Sequence, residues 1–169
     1  KQQISPTIVT YTSLIDGCGK CNNLPRAFSL YNDVKASGIQ LNLHFFNAIL
    51  NASLLNGNIC IVDQIINDIK ECNLRPNTVT YNTLLAGYSR FDQLPKMKEI
   101  VSNMINQGVE FSSVTQTTIL QAAQLVKDQN DLQMFIDLLD TARFVPSRNQ
   151  ASQSVIDLIT AKRLIVAHA

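Results

Sequence analysis

Asn77 to Phe111 reads NTVTYNTLLAGYSRFDQLPKMKEIVSNMINQGVEF, and it is the clearest copy of a unit that recurs along the chain. From Val79 to Phe91 the residues Val79, Leu84, Leu85 and Tyr88 keep helical apolar spacing. A second such run, Leu94 to Gln107, holds Leu94, Met97, Ile100, Val101, Met104 and Ile105. Asp92-Gln93 is the polar break between them. Pro95 suits a first helical turn, where a missing N–H is no loss, and Gly108 can take the left-handed conformation that ends a helix. The spacing predicts one helical hairpin.

A step of 35 residues carries the pattern through the rest of the chain. A small polar residue follows the helix-opening position at Thr12, Asn47, Asn82, Thr117 and Ser152, and Leu14, Ile49, Leu84 and Ile119 keep the same step. In the second helices the pairs Leu30/Tyr31, Ile65/Ile66, Ile100/Val101 and Phe135/Ile136 recur likewise. The hairpins are framed as residues 8–42, 43–77, 78–112 and 113–147, with residues 148–169 a partial fifth and residues 1–7 the end of a preceding repeat. A hairpin this short cannot bury both its faces alone, so neighbours must stack into an all-α solenoid of about nine or ten helices without strands. Leu14, Ile49, Ile65, Leu84, Ile100, Ile119 and Phe135 are the expected core.

A longer step of 70 overlies the first: Gly17/Gly87, Lys20/Arg90, Pro25/Pro95 and Gly38/Gly108 mark hairpins one and three. It reads either as duplication of a two-hairpin unit or as chance.

Composition fits a folded domain: 169 residues, 46% hydrophobic, 16% charged, net charge +1. No apolar run reaches the ~18 residues a membrane span needs, and no membrane partner is expected. The strong basic excess common in nucleic-acid binders is missing. The first helices carry only Asp16, Lys20 and Arg90, whereas Arg26, Asp33, Lys35, Asp63, Asp68, Lys70, Glu71, Lys96, Lys98 and Glu99 lie on second helices. Second helices are therefore assigned the solvated face.

No catalytic or metal constellation emerges. Cys18-Gly19-Lys20-Cys21 is a CxxC without a second half, and Cys60 and Cys72 lack ligand spacing and read as small core thiols. His44 and His168 are the sole histidines, too far apart in the pattern to argue an acid/base pair. Asp63, Asp68, Asp137 and Asp140 read as a solvated face. The chain is expected to be no enzyme, to need no cofactor and to take no small-molecule substrate.

Val9-Thr10-Tyr11-Thr12-Ser13-Leu14-Ile15-Asp16-Gly17 and Val79-Thr80-Tyr81-Asn82-Thr83-Leu84-Leu85-Ala86-Gly87 are where the chain resembles the pentatricopeptide repeat family, in its P-type-like form, over roughly residues 4 to 161. The tetratricopeptide repeat, with its 34-residue period and Trp-containing opening, fits less well, because the chain has no Trp and steps by 35. The copies depart from the pattern at His44-Phe45-Phe46 in the second hairpin and at Gln116 and Arg143 in the fourth.

The resemblance implies a right-handed superhelical α-solenoid of about four and a half 35-residue hairpins, whose first helices line a concave groove for single-stranded RNA. Repeats of this kind read one base each through two or three side chains. By resemblance the readers pair as Thr12 with Asn42, Asn47 with Asn77, Asn82 with Ser112 and Thr117 with Ser147, with Ser152 opening the next. Thr-Asn favours adenine, Asn-Asn and Asn-Ser favour pyrimidines, and Thr-Ser leans to purine. Val9, His44, Val79 and Val114 would clamp bases, and Lys20 and Arg90 would face phosphate, with Leu55 and Leu125 in their place elsewhere. Each of these residues also has a plainer reading: a Thr or Asn in a first turn is often a cap, and an apolar residue at a helix start is often a packing staple.

Three functions follow from the resemblance. One is an RNA-binding adaptor in mitochondrion or plastid, acting in RNA processing, stability, editing or translation. Another is a structural or assembly subunit of an organellar ribosome or other ribonucleoprotein that reads no bases. The third is the targeting arm of a nuclease. Lys1 at the start and the repeat-like Ile4-Ser5-Pro6-Thr7 are expected of an excerpt from a longer array, with any targeting peptide upstream.

Overall fold

Residues with left-handed backbone set where the chain turns, and they fall in two series of step 35. Asn22 (φ 56°), Gly57 (φ 73°) and Asp92 (φ 52°) turn the chain inside hairpins, while Gly38 (φ 72°), Asn73 (φ 54°) and Gly108 (φ 66°) turn it between them. Glycine and asparagine are the residues that tolerate this region best, which is why Asn73 can stand where its counterparts are Gly. In this computed structural model, residues 6–125 are described. Among them the first hairpin is α1 (Ile8–Lys20) and α2 (Leu24–Ala36), and the second is α3 (Leu43–Leu55) and α4 (Val62–Glu71). The third is α5 (Thr78–Arg90) and α6 (Leu94–Asn106); α7 (Ser113–Leu125) follows, and no strand occurs among the described residues. Phe135, Asp137, Asp140, Arg143, Ser147 and Ser152 lie outside the described residues.

The 70-residue alternation has a local counterpart. Pro25 and Pro95 sit in the first turns of α2 and α6, which begin directly as α-helix. Cys60 takes that place in the second hairpin, and there the chain first makes a 3-10 turn, Ile59–Ile61, before α4. Proline fixes φ near the helical value and so starts the helix without this preamble.

The Val-Thr-Tyr opening divides its labour by burial. Val79 is 59% exposed, whereas Thr80 and Tyr81 are buried. The Thr80 N–H donates to Asn77 Oδ1 (3.0 Å) and the Asn77 N–H donates back to Thr80 Oγ1 (3.4 Å), a reciprocal cap that satisfies two otherwise orphaned donors. Ser112 and Thr115 repeat it: Thr115 N–H to Ser112 Oγ at 3.2 Å, Ser112 N–H to Thr115 Oγ1 at 3.1 Å. Phe45 replaces the threonine in the second hairpin, and Asn42 Oδ1 alone caps, accepting from the Phe45 N–H at 2.9 Å.

The chain divides into two compact units, Lys1–Gly87 and Tyr88–Ala169. In the first, α1 packs on α3 and on α2, and Ile15, Ala27, Leu30, Val34, Phe45, Phe46, Ile49, Leu50, Val62, Ile65 and Ile69 are buried. Two glycines permit close helix approach. A Cβ on Gly19 would meet Ala52 Cβ at 2.7 Å, and one on Gly87 would meet Leu54 Cδ1 at 2.6 Å. In the second unit Tyr88, Met97, Ile100, Val101, Met104, Ile119, Leu120 and Ala122 are buried.

Three expectations are corrected. Leu14 is not core but 50% exposed, while its counterparts Ile49, Leu84 and Ile119 are buried. No described hairpin precedes α1 to cover this face, and Ile15 carries the burial instead. Asp68 is not on the solvated face but buried, bound by the Tyr31 hydroxyl and by Lys35 Nζ at 2.7 Å. Cys60 and Cys72 are exposed rather than core, as is Cys21, and none of the described cysteines is in a disulfide. Among the described residues no group of His, Cys, Asp and Glu could hold a metal, and no helix is long and apolar enough to cross a membrane.

Candidate nucleic-acid interface

Residues at i, i+3, i+4 and i+7 share one face of a helix, and this selects Val9, Thr12, Ser13 and Asp16 on α1. The same selection gives His44, Asn47, Ala48 and Asn51 on α3, and Val79, Asn82, Thr83 and Ala86 on α5. Nine residues from these helices line a single open cleft of ≈ 450 Å³: Thr12, Ser13, Asp16, His44, Asn47, Ala48, Asn51, Val79 and Thr83. Two expected readers, Thr12 and Asn47, thus meet two expected clamps, His44 and Val79. Asn42, Asn77, Asn82, Val9 and Lys20 do not line it.

The residues expected to clamp bases are all exposed. Val9, Val79 and Val114 are 67%, 59% and 58% exposed, and His44 is exposed as well. The valines, at the same repeat position in hairpins one, three and four, are exposed apolar groups that contribute nothing to the core.

The readers are less free than their residue types suggest. Thr12 is nearly buried, and its hydroxyl donates to the Ile8 carbonyl at 2.7 Å, which leaves it only acceptor capacity. Thr117 likewise donates to the Ser113 carbonyl at 2.8 Å. The closing residues Asn42, Asn77 and Ser112 are helix caps whose side-chain oxygens already accept backbone N–H groups. For the two asparagines that leaves the amide NH₂ as a donor. Asn47 is the exception: its Oδ1 is buried and has no hydrogen-bond partner. An orphaned buried acceptor of this kind costs about 1–3 kcal/mol until something donates to it. Taken together, an acceptor from the first helix and a donor from the closing residue suit a base edge that carries a donor beside an acceptor.

Charge is sparse here. Asp16 is the sole ionisable carboxylate lining the cleft, and its Oδ2 lies 2.6 Å from Lys20 Nζ. Lys20 and Arg90 are both exposed. Ser13, Asp16, Ala48, Asn51 and Thr83 escaped the sequence reading as cleft residues, although the i+4 and i+7 spacing from Val9, His44 and Val79 contained the signal.

These features define a tandem helical-hairpin protein of the α-solenoid class with a polar groove on its first helices. Models of one repeat family match in three places: the pentatricopeptide repeat domain at residues 29–90, the PPR repeat family at 76–123 and the PPR repeat at 9–39. The chain belongs to the pentatricopeptide repeat family. It is 32% identical over 103 residues to a pentatricopeptide repeat-containing protein of Arabidopsis thaliana, covering 61% of this chain and 18% of that protein. A chloroplastic member of the same organism is 27% identical over 106 residues, 62% of this chain and 22% of that one. The mitochondrial 15S rRNA processing factor of Yarrowia lipolytica is 26% identical over 123 residues, 69% and 16% respectively. The chain thus spans about a fifth of the length of the curated relatives it matches. Among solved structures, pentatricopeptide repeat protein PPR10 from maize superposes with a TM-score of 0.72 at 22% identity, over 95% of this chain and 23% of that chain. PPR10 in complex with an 18-nt psaJ RNA element gives 0.70 at 22% identity, over 83% and 21%. Likeness at this identity bears on the fold, which is the α-solenoid of helical hairpins.

Proposed function

We propose that this chain is a single-stranded RNA-binding segment of an organellar adaptor, reading one base per hairpin in the frame 8–42, 43–77, 78–112 and 113–147. The observation that carries this reading is the cleft in which Thr12 and Asn47 meet His44 and Val79, with an unpaired acceptor on Asn47. A base between His44 and Val79 would bury two exposed groups on its faces and offer its edge to Asn47. That PPR10 is solved with an RNA element supports the class of ligand. The chloroplastic relatives and the mitochondrial rRNA processing factor support an organellar setting, mitochondrion or plastid. Function here is binding; chemistry on the RNA, where it occurs, belongs to other domains or partners.

A second reading, a structural or assembly subunit of a ribosome or other ribonucleoprotein, is favoured by the capping roles of Asn42, Asn77 and Ser112 and by the Asp16–Lys20 pair. Both subtract from base reading. Fluorescence anisotropy with labelled single-stranded RNA, the matching DNA and an RNA duplex separates the two. The adaptor reading expects preference for single-stranded RNA, a weak Kd near micromolar for so few repeats, and loss on Asn47→Ala. Equal binding to all three strands favours the subunit.

A further inference from the structure

Asp16 places an anion inside the groove that, on the RNA-binding reading above, must take a polyanion. Its carboxylate lines the cleft beside Thr12 and Asn47 and is the closest partner of Lys20, at 2.6 Å. The step of 35 makes this peculiar to the first hairpin: Asn51, Ala86 and Gln121 hold the corresponding positions, and none carries charge. Arg90, two steps on from Lys20, therefore has Ala86 where Lys20 has Asp16.

We infer that Asp16 is an electrostatic mask on the first hairpin, neutralising Lys20 and repelling phosphate so that this repeat holds its nucleotide without a net cation. The pair is exposed, 67% for the lysine side chain and 38% for the aspartate, and follows the helical i,i+4 spacing. It contributes little to stability. Its larger effect is on the field in the cleft, where a carboxylate about 7 Å from a phosphate in water weakens binding about threefold. A masked Lys20 also releases no counterion on binding, so hairpin one adds nothing to the salt dependence. Arg90 is the unmasked case.

The test is anisotropy of a short labelled single-stranded RNA of mixed sequence, titrated with the whole chain across a series of salt concentrations. Asp16→Asn, which keeps shape and removes charge, is expected to tighten binding about threefold and to steepen the slope of log K against log salt by about 0.7. Lys20→Gln alone bares the Asp16 carboxylate and should weaken binding about threefold, whereas Arg90→Gln should flatten the slope by about 0.7. In the Asp16→Asn, Lys20→Gln double variant the steeper slope should vanish. Circular dichroism confirms that each variant is folded before it is titrated. If Asp16→Asn leaves affinity and slope unchanged while the chain binds RNA, or if the double variant keeps the steeper slope, the mask is overturned. If no variant and not the natural chain binds RNA, the RNA reading falls, and the mask with it.

Discussion

The Tyr31 hydroxyl on α2 donates a hydrogen bond to the Asp68 carboxylate on α4, joining the second helices of hairpins one and two across a buried gap. Asp68 is 7% exposed and also takes Lys35 Nζ at 2.7 Å, while the Lys35 ammonium lies 5.5 Å from the Tyr31 ring centroid. Tyr31 is anchored from the other side by Phe45, stacked at 5.7 Å between centroids, and by the edges of Phe28 and Phe46. A buried carboxylate is tolerable only because two donors meet it.

Tyr31→Phe should therefore destabilise the chain by about 1.5–3 kcal/mol, the range for hydrogen bonds to charged groups. Lys35→Met should cost at least as much, because it leaves the buried Asp68 carboxylate without its cation. Urea unfolding measures both, and negligible cost for either would contradict its place as a partner of Asp68.

Alkaline pH tests the same contact. Burial first, and then the hydrogen bond from the Tyr31 phenol to Asp68, push the Tyr31 pKa well above the ordinary tyrosine range. In the unfolded chain Tyr31 loses its proton near pH 10, whereas in the fold it keeps it. The raised folded pKa thus contributes fully below about pH 10 and is lost as pH rises beyond it. Urea midpoints should fall more steeply above that pH for the natural chain than for Tyr31→Phe; parallel profiles would contradict the assignment.

Gly19 and Gly87 should resist substitution for steric reasons. Alanine at either would press a Cβ to 2.7 Å from Ala52 Cβ or 2.6 Å from Leu54 Cδ1, and should cost about 1–3 kcal/mol. Gly17 has nothing within 4 Å of such a Cβ, so Gly17→Ala should instead stabilise α1 by about 0.5–1 kcal/mol. Thermal melts of the three variants check the contrast.

Leu14 and Ile49 occupy the same repeat position and should respond differently. Ile49→Ala empties a fully buried site and should cost about 2–5 kcal/mol. Leu14→Ala removes a half-exposed side chain and should cost about 1 kcal/mol or less. Similar losses would mean that the Leu14 face is covered after all.

Periodicity carried the helices because burial repeats with the backbone. The helix read from Leu94 to Gln107 is Leu94–Asn106, and the stop residues Gly38, Asn73 and Gly108 all have positive φ. The exposure of Val9, Val79 and Val114 follows from the same period, which puts them off the core stripe in hairpins one, three and four. What escaped depends on long side chains reaching between hairpins or along a helix. Asp68 looks like any outer-face acid until Tyr31 and Lys35, a whole repeat earlier, are seen to reach it. Leu14 fits the core pattern perfectly, yet no hairpin among the described residues covers it. Asn42, Asn77 and Ser112 are of types that suit either a helix cap or a base contact, and the sequence alone does not say that the backbone claims their oxygens.

Base reading by the first-helix polar residue is tested most directly at Asn47, which lines the cleft together with His44 and Val79 and whose Oδ1 has no hydrogen-bond partner. The measurement is the affinity of the natural chain and of Asn47→Thr for single-stranded RNAs that differ at one base, titrated into the high-micromolar range. Asn47→Thr converts an Asn-Asn pair into a Thr-Asn pair, so preference at one RNA position should move from pyrimidine to adenine by about 1–3 kcal/mol and stay put at the others. A uniform loss across all sequences, or no change in preference, would contradict it.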